Sequence, residues 1–197
     1  MKIVILNATA SLSSNEYSTI LSEQGLIDAD KIATYLAEEI NPDIIYSSPY
    51  VRALQTIYPY CQKYNKKVNA ECCLYPLARF DSGNYLYHDI SLTSLPSYFH
   101  YLYHIIDSNY TSRVFHSNVS QRESPRLIGN RVFPFLYALK TEYQNTNKTI
   151  LIVSHRDICP YFLKYFDSPE ADAEHSIYII DCLTNHHDHK HIVTSTF

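Results

Sequence analysis

The sequence predicts an α/β protein, a three-layer α/β/α sandwich built around a largely parallel central sheet. Two observations carry this prediction. Short apolar runs rich in β-branched residues, such as residues 2–6 and 149–153, alternate with segments whose apolar residues recur every three or four positions. The 197 residues show no break in composition, so we expect a single domain spanning residues 1–197.

Hydrophobic spacing and cap signals predict each element in turn. The apolar runs predict strands at residues 2–6, 44–46, 68–74, 149–153, 176–182 and 192–195. The helical patterns between them predict helices at residues 22–39, 49–64, 95–106, 124–143 and 157–166. Ser22 should cap the first helix, Pro49 should open the second, and Pro134 should kink or interrupt the fourth. The β-branched run at 149–153 favours a place in the middle of the sheet.

Ligands of such sheets bind beside the carboxyl ends of the parallel strands. Three short segments follow the strands that this chain predicts most clearly. They are Asn7-Ala8-Thr9, Ser47-Ser48-Pro49 and Ser154-His155-Arg156. We therefore expect the functional site where these three segments meet.

Four segments, in sequence order, resemble the histidine phosphatase superfamily of phosphoglycerate mutase-like proteins. Residues 47–56 read SSPYVRALQT, which is similar nearly letter for letter to the family's S-S-P-x-x-R-A-x-Q-T segment. Residues 21–25, LSEQG, resemble its L-T-x-x-G helix entry, and residues 153–155 resemble its V-S-H strand end. Glu123-Ser124 with Arg131 resembles the G-E-S stretch and the arginine of the long helix. The resemblance implies the histidine phosphatase fold.

The resemblance also implies that the nucleophile of this family is missing. The family's R-H-G after the first strand supplies a phosphate-binding arginine and the histidine nucleophile. The corresponding residues here are Asn7, Ala8 and Thr9. An alanine methyl has no lone pair with which to attack phosphorus. The sequence therefore predicts a pseudophosphatase.

A second replacement concerns the general acid, which the resemblance places in the loop after the third strand. Depending on the gap, either Pro76 or Arg79 occupies that position, and neither side chain can protonate a leaving oxygen. Asp81 is near enough in sequence to substitute for it. With the nucleophile absent, however, a substitute acid would have nothing to assist.

Arg52, His155 and Arg156 remain as half of an anion pocket. Arg52 offers a planar donor fork, and His155 can donate when it is protonated, so the three could hold phosphate or sulfate. Alternatively, Arg52 and His155 hydrogen-bond neighbouring loops and order the end of the sheet, which is the reading we favour. We expect these two side chains to face one another, with Ala8 between their strands.

Composition excludes several classes of function. A net charge of −4 exerts no general pull towards DNA, so direct sequence-specific DNA binding is not expected. The five cysteines lack C-x-x-C spacing, which favours free thiols. No leader and no apolar run of about 20 residues is present, so we expect no membrane segment and an intracellular location. The histidine-rich residues 185–191 predict an exposed hairpin loop without a dedicated metal, and no cofactor is expected.

A protein partner is the remaining expectation. The 19 tyrosines supply amphipathic surface of the kind that is enriched at interfaces. Residues 49–59 and the Asn- and Tyr-rich composition resemble the histidine phosphatase domain in a subunit of yeast general transcription factor IIIC, TFIIIC. That resemblance implies an assembly subunit in the nucleus, or alternatively in the cytoplasm. A binding module for a phosphorylated ligand and a weak phosphatase that uses displaced residues are the second and third readings.

Overall fold

A five-stranded sheet forms the centre of the protein. The computed structural model describes residues 1–12, 19–77, 97–114, 123–167 and 177–182. The strands are β1 (Lys2–Asn7), β2 (Ile44–Ser47), β3 (Asn69–Ala70), β4 (Thr149–Ser154) and β5 (Ile177–Asp181). They lie in the order β3-β2-β4-β1-β5; three of the four neighbouring pairs are parallel, and β5 runs antiparallel to β1. The predicted, largely parallel sheet is confirmed, with the β-branched strand β4 at its middle.

Four α-helices flank this sheet. They are α1 (Glu23–Tyr35), α2 (Val51–Tyr64), α3 (Pro125–Tyr143) and α4 (Cys159–Tyr165). A wider π-helical turn, Leu36–Ile40, extends α1, and 3₁₀ helices occupy Cys72–Leu74 and Ser97–Ile105. None of the described helices is both long enough and apolar enough to cross a bilayer.

Alternation along the buried strands produces the three layers. Successive side chains of a strand point to opposite faces of its sheet. Val4 and Leu6 of β1 therefore pack with α1 and α2, whereas Ile3 and Ile5 pack with α3 and α4. All four side chains are fully buried, and each contributes about 1.5–3 kcal/mol of burial free energy. Helices thus cover both faces, which confirms the predicted sandwich.

The prediction at Pro49 was wrong, and the interruption that was one of two alternatives at Pro134 does not occur. The helix α2 begins at Val51, with an extended Tyr50 as its N-cap, so Pro49 precedes the helix instead of opening it. The hydroxyl of Ser48 accepts a hydrogen bond from the Tyr50 amide at 3.3 Å, which stabilises this extended turn. Pro134 does not interrupt α3, because it lies on the exposed face of the helix, where water can satisfy the carbonyl that a proline leaves unbonded.

The third strand is much shorter than the predicted residues 68–74. It ends at Ala70 because the Glu71 carboxylate caps the following 3₁₀ helix by accepting a hydrogen bond from the Cys73 amide at 3.2 Å. The last predicted strand, residues 192–195, lies outside the described residues.

The loop after β1 passes very close to the first turn of α1. Ser22 caps that turn as predicted, since its Oγ accepts a hydrogen bond from the Gly25 amide at 3.1 Å. The Ser22 amide donates to the carbonyl oxygen of Ala10 at 2.9 Å. A Cβ atom on Gly25 would lie 2.1 Å from that same oxygen. The close approach that fixes the loop after β1 therefore requires glycine at position 25.

This contact leads to a stability prediction. Gly25→Ala should lower the free energy of unfolding by at least about 2 kcal/mol, because backbone must move to admit the methyl group. Gly129→Ala is the matched control, since its Cβ would meet only the side chain of Phe133, at 3.2 Å. The control should change stability by less than about 1 kcal/mol, because helix propensity offsets the contact. Urea unfolding of both variants measures the difference, and equal effects would contradict this account of the loop.

Candidate functional site

Three strand ends converge at the carboxyl edge of the sheet. The β1–β4 register pairs Asn7 with Ser154, and the Ala8 amide donates to the Ser154 carbonyl at 2.8 Å. On the other side of β4, the Ser48 amide donates to the Val153 carbonyl at 2.9 Å. Residues 8, 48 and 155 are therefore neighbours, with His155 at the centre, as expected for the site.

Arg52, His155 and Ser48 form a buried chain of hydrogen bonds. Arg52 Nε donates to His155 Nδ1 at 3.3 Å, and His155 Nε2 lies 2.9 Å from Ser48 Oγ. Since a guanidinium can only donate, Nδ1 must be the accepting nitrogen, and the proton of a neutral imidazole is on Nε2. Nε2 then donates to Ser48. The predicted encounter of Arg52 and His155 is present, and it ties both side chains into the protein.

The imidazole of His155 is neutral near physiological pH. Burial lowers the pKa of His155 well below its usual value, and the positive charges of Arg52 and Arg131 lower this pKa further. Only 5% of the residue is exposed. Donation to an anion by a protonated His155 stays a prediction, and burial together with the two arginines disfavours the protonated form that it requires.

Two tyrosine rings pack around this hydrogen-bonded group. The Tyr50 ring packs edge-on against His155 with centroids 5.4 Å apart, and Arg52 Cζ lies 5.1 Å from the centroid of Tyr50. The ring of Tyr75 lies 5.4 Å from that of Tyr50. Every one of these side chains is buried. This burial favours the structural role predicted for Arg52 and His155, in which they hydrogen-bond neighbouring loops and order the end of the sheet.

Ala8 does not lie between the strands of Arg52 and His155, contrary to prediction. Strand β4 occupies the middle of the sheet, with β2 on one side and β1 on the other. Ala8 therefore follows β1 on the side of His155 that faces away from β2. The order of the strands follows from tertiary pairing, which the linear pattern does not encode.

Thr9 makes structural contacts with both helices that border the loop after β1. Its hydroxyl donates to the Gly25 carbonyl at 3.0 Å, and its amide donates to Thr56 Oγ1 at 3.1 Å. Thr56 in turn donates to the Arg52 carbonyl at 2.8 Å. Thr9 thereby fastens the loop after β1 to both α1 and α2. Asn7, the third replaced residue, is buried at the end of β1.

Arg131 holds the loop that follows β3. Its guanidinium forms a bidentate ion pair with Glu123 at 2.6 and 2.7 Å, and both side chains are almost fully buried. The same guanidinium donates to the carbonyl oxygens of Cys73, Tyr75 and Pro76. Glu123 is committed to this ion pair, and Pro76 contributes only its backbone. Neither residue offers a mobile proton to the site.

Some predicted site residues are not brought into this group. The side chain of Arg156 is exposed, so it does not join buried Arg52 and His155. Arg79, Asp81 and the histidine-rich residues 185–191 lie outside the described residues. In the part of the chain that the structure describes, no three His, Cys, Asp or Glu side chains are grouped to hold a metal ion. All five cysteines are free thiols.

Sequence reasoning missed two carboxylates near the edge of the sheet. Asp157, two residues after His155, accepts a hydrogen bond from the Leu77 amide at 2.7 Å through Oδ2. Glu71, directly after β3, is fully buried and accepts from the hydroxyls of Tyr110 and Ser112 at 2.5 and 2.6 Å. The sequence signal that could have identified both carboxylates is that each one follows a strand of the sheet. Their hydrogen-bond partners come from distant segments, which the sequence pattern does not specify.

Comparison with known proteins identifies the fold. Residues 10–75 match the model of the histidine phosphatase superfamily, branch 1, so the match begins just after residues 7–9. No curated protein matches the chain in sequence. The structure is similar to ecdysone phosphate phosphatase from Bombix mori, with a TM-score of 0.66 and 10% identity over 91% of this chain and 88% of that one.

Two bacterial structures show the same likeness. Bacillus stearothermophilus YhfR has a TM-score of 0.64 and 16% identity, covering 99% of this chain and 96% of its own. The α-ribazole phosphatase from Shigella flexneri has a TM-score of 0.62 and 20% identity, covering 92% of this chain and 90% of its own. The chain has the histidine phosphatase fold, as the sequence predicted.

The buried imidazole leads to a prediction about pH. Because the pKa of His155 is lowered in the folded protein, the unfolded chain takes up a proton first as the pH falls below about 6.5. Stability should therefore decrease below that pH, by up to about 1.4 kcal/mol per pH unit from this residue. His155→Gln, which cannot titrate, should make thermal unfolding less dependent on pH between about 7 and 5. Exposed His104→Gln is the control, and an identical slope in wild type and His155→Gln would refute the assignment.

Proposed function

We propose that this chain, a protein with the histidine phosphatase fold, is catalytically inactive and serves as a subunit in a protein assembly. The observation that carries the proposal is Ala8, which stands beside His155 at the carboxyl edge of the sheet, hydrogen-bonded through its amide to Ser154. The resemblance assigns the nucleophilic histidine to that position. In another enzyme class, removing the nucleophile lowers kcat about a millionfold, which sets the scale of the expected loss.

The remaining polar groups support inactivity, because they are engaged with one another. Arg52 donates to His155, and His155 donates to Ser48, so these donors are directed into the protein. The group is buried beneath Tyr50 and Tyr75. A phosphorylated side chain of another protein would have to displace these contacts, which weighs against the reading as a phosphoprotein-binding module.

Displaced nucleophiles receive little support from the described residues. Burial raises the pKa of the Cys159 thiol to about 12, and the pKa of Cys61 is also raised to about 12 by burial. Both thiols are protonated at physiological pH and are weak nucleophiles. The Thr9 hydroxyl donates to the Gly25 carbonyl. We therefore do not favour the reading as a weak phosphatase.

An exposed apolar surface supports a role in assembly. Four large apolar side chains are exposed at the start of α1 and on the ribbon that leads into it: Leu12, 69%; Ile20, 38%; Leu26, 49%; Ile27, 48%. The Leu12 amide donates to the Ile20 carbonyl at 3.1 Å, so these two residues are adjacent. In the sequence of α1, exposed Glu23 precedes Leu26 and exposed Asp30 follows Ile27, while the exposed cation Lys31 is paired with Asp28 at 3.5 Å. The surface is suited to a protein segment whose apolar side chains are bordered by lysine or arginine.

The resemblance to the TFIIIC subunit domain suggests which assembly this is. We propose that the partners are TFIIIC subunits and that the protein acts in the nucleus, with protein contacts and without sequence-specific DNA recognition. Affinity capture from the cells that express the chain, followed by mass spectrometry, tests this assignment. TFIIIC subunits should be recovered in stoichiometric amounts; a different stoichiometric complex would contradict this identification of the partner.

The exposed surface leads to a prediction about assembly. Leu26→Asp combined with Ile27→Asp should reduce recovery of the stoichiometric partners at least about tenfold, because charges then replace the central apolar contacts. The control is Tyr137→Asp, which adds a charge at an exposed aromatic residue of α3. Thermal unfolding must show that both variants remain folded. Full recovery with the double variant would exclude this surface as the docking site.

Restoring the family residues tests the basis of inactivity. Asn7→Arg, Ala8→His and Thr9→Gly together should improve phosphate binding more than they restore turnover, because they add donors but no general acid. The deficit from an unassisted leaving group is about a hundredfold or more. A variant that keeps Thr9 controls for loss of its contact with Gly25. Calorimetry with inorganic phosphate and a steady-state assay provide the comparison, and turnover equal to that of an active α-ribazole phosphatase would show that an acid is present.

A further inference from the structure

The loop after β3 is fastened across the edge of the sheet to the loop after β4. Tyr75 packs against Tyr50, whose ring in turn contacts His155. Two residues later, the Leu77 amide donates to Asp157 Oδ2 at 2.7 Å. These contacts place residues 75–77 beside the buried hydrogen-bond chain, with Asp157 as the side chain that fastens them.

The Asp157 carboxylate also acts electrostatically on the same group. Burial lowers the pKa of Arg52, and the negative charge of Asp157 opposes that shift. Burial raises the pKa of Tyr50, and Asp157 is among the groups that raise it further. Asp157 is itself exposed, so it lies at the solvent side of the group that contains Arg52 and His155.

A carboxylate in this position opposes the binding of phosphate. Phosphate carries one or two negative charges near neutral pH, and like charges that share a partly desolvated site repel one another. Arg52 and Arg131 are the buried cations that act on His155, and exposed Arg156 precedes Asp157 directly in the chain. The negative charge of Asp157 offsets part of this positive field. The hydrogen bond from Leu77 adds a second barrier, because entry beside Tyr75 requires movement of the fastened loop.

We propose that Asp157 is a specificity-determining residue that excludes phosphate and similar anions from the edge of the sheet. It does so through its charge and through its hydrogen bond to the loop after β3. The inference rests on the proposed function. An inactive protein gains nothing when cellular phosphate occupies this edge of the sheet. The inference assigns to Asp157 a role that the missing nucleophile does not explain.

Two substitutions separate the charge from the hydrogen bond. Asp157→Asn removes the charge and retains an oxygen that can accept from Leu77, whereas Asp157→Ala removes both. Asp157→Asn should bind inorganic phosphate about tenfold more tightly than wild type at low ionic strength, and Asp157→Ala at least as tightly as Asp157→Asn. Glu38→Gln, which removes an exposed carboxylate from the π-helical turn after α1, is the control and should behave as wild type. Isothermal titration calorimetry measures all four proteins, after thermal unfolding shows that each is folded.

The proposal is overturned if Asp157→Asn binds phosphate no better than wild type, including the case in which no protein binds it. It is also overturned if Glu38→Gln gains as much, since the gain would then reflect net charge alone. Weaker binding by Asp157→Ala than by Asp157→Asn would exclude the barrier formed by the loop. Turnover of p-nitrophenyl phosphate by the wild-type protein, measured in parallel, would instead contradict the proposed function, so the two failures are distinguishable.

Discussion

The hydrogen bond from Arg52 to His155 is the contact on which the arrangement of this site depends. A buried guanidinium is costly unless its donors are satisfied, and the Nδ1 atom of His155 provides an acceptor at 3.3 Å. That acceptor exists only while the imidazole is neutral. Burial keeps the pKa of His155 low. Because Nδ1 accepts from Arg52, the proton of the neutral ring is on Nε2, which donates to Ser48. The hydrogen bonds from Arg52 to His155 and from His155 to Ser48 together link the ends of β2 and β4 to the start of α2.

The same contact explains how residues that resemble those of active phosphatases can have a structural role without phosphatase activity. Arg52, Ser48 and His155 are the residues through which the sequence most resembles active phosphatases, yet here they bind one another. A structural role alone is therefore sufficient to account for these three residues. The enclosure by Tyr50 and Tyr75 has the same consequence, since it orders the edge of the sheet and limits access to it.

Local patterns were sufficient to predict the fold and part of the site. The apolar runs of β1 and β4, the cap at Ser22 and the spacing of α3 all report on short segments, where residue type and period decide the structure. The motif around Arg52 and the strand end at His155 likewise predicted that these side chains meet. The strands, the cap and the helix needed only neighbouring residues, whereas the meeting of Arg52 and His155 followed from the resemblance to the histidine phosphatase family together with the rule that ligands bind at the carboxyl ends of strands.

Long-range pairing and burial account for what the sequence could not predict. The position of Ala8 depends on β4 lying between β1 and β2, and the neutral state of His155 depends on side chains from several segments that exclude water. Asp157 was overlooked because its significance comes from Leu77, 80 residues away in the chain. Arg156 follows His155 directly, yet its side chain is exposed.

The most direct test of the central claim is a steady-state assay of the wild-type protein with p-nitrophenyl phosphate and phosphotyrosine, beside Arg52→Ala. Because Ala8 offers no nucleophile, the account predicts release of phosphate no faster than in a buffer blank for both proteins. Turnover by the wild type that disappears in Arg52→Ala would contradict it, since the retained arginine would then be supporting catalysis.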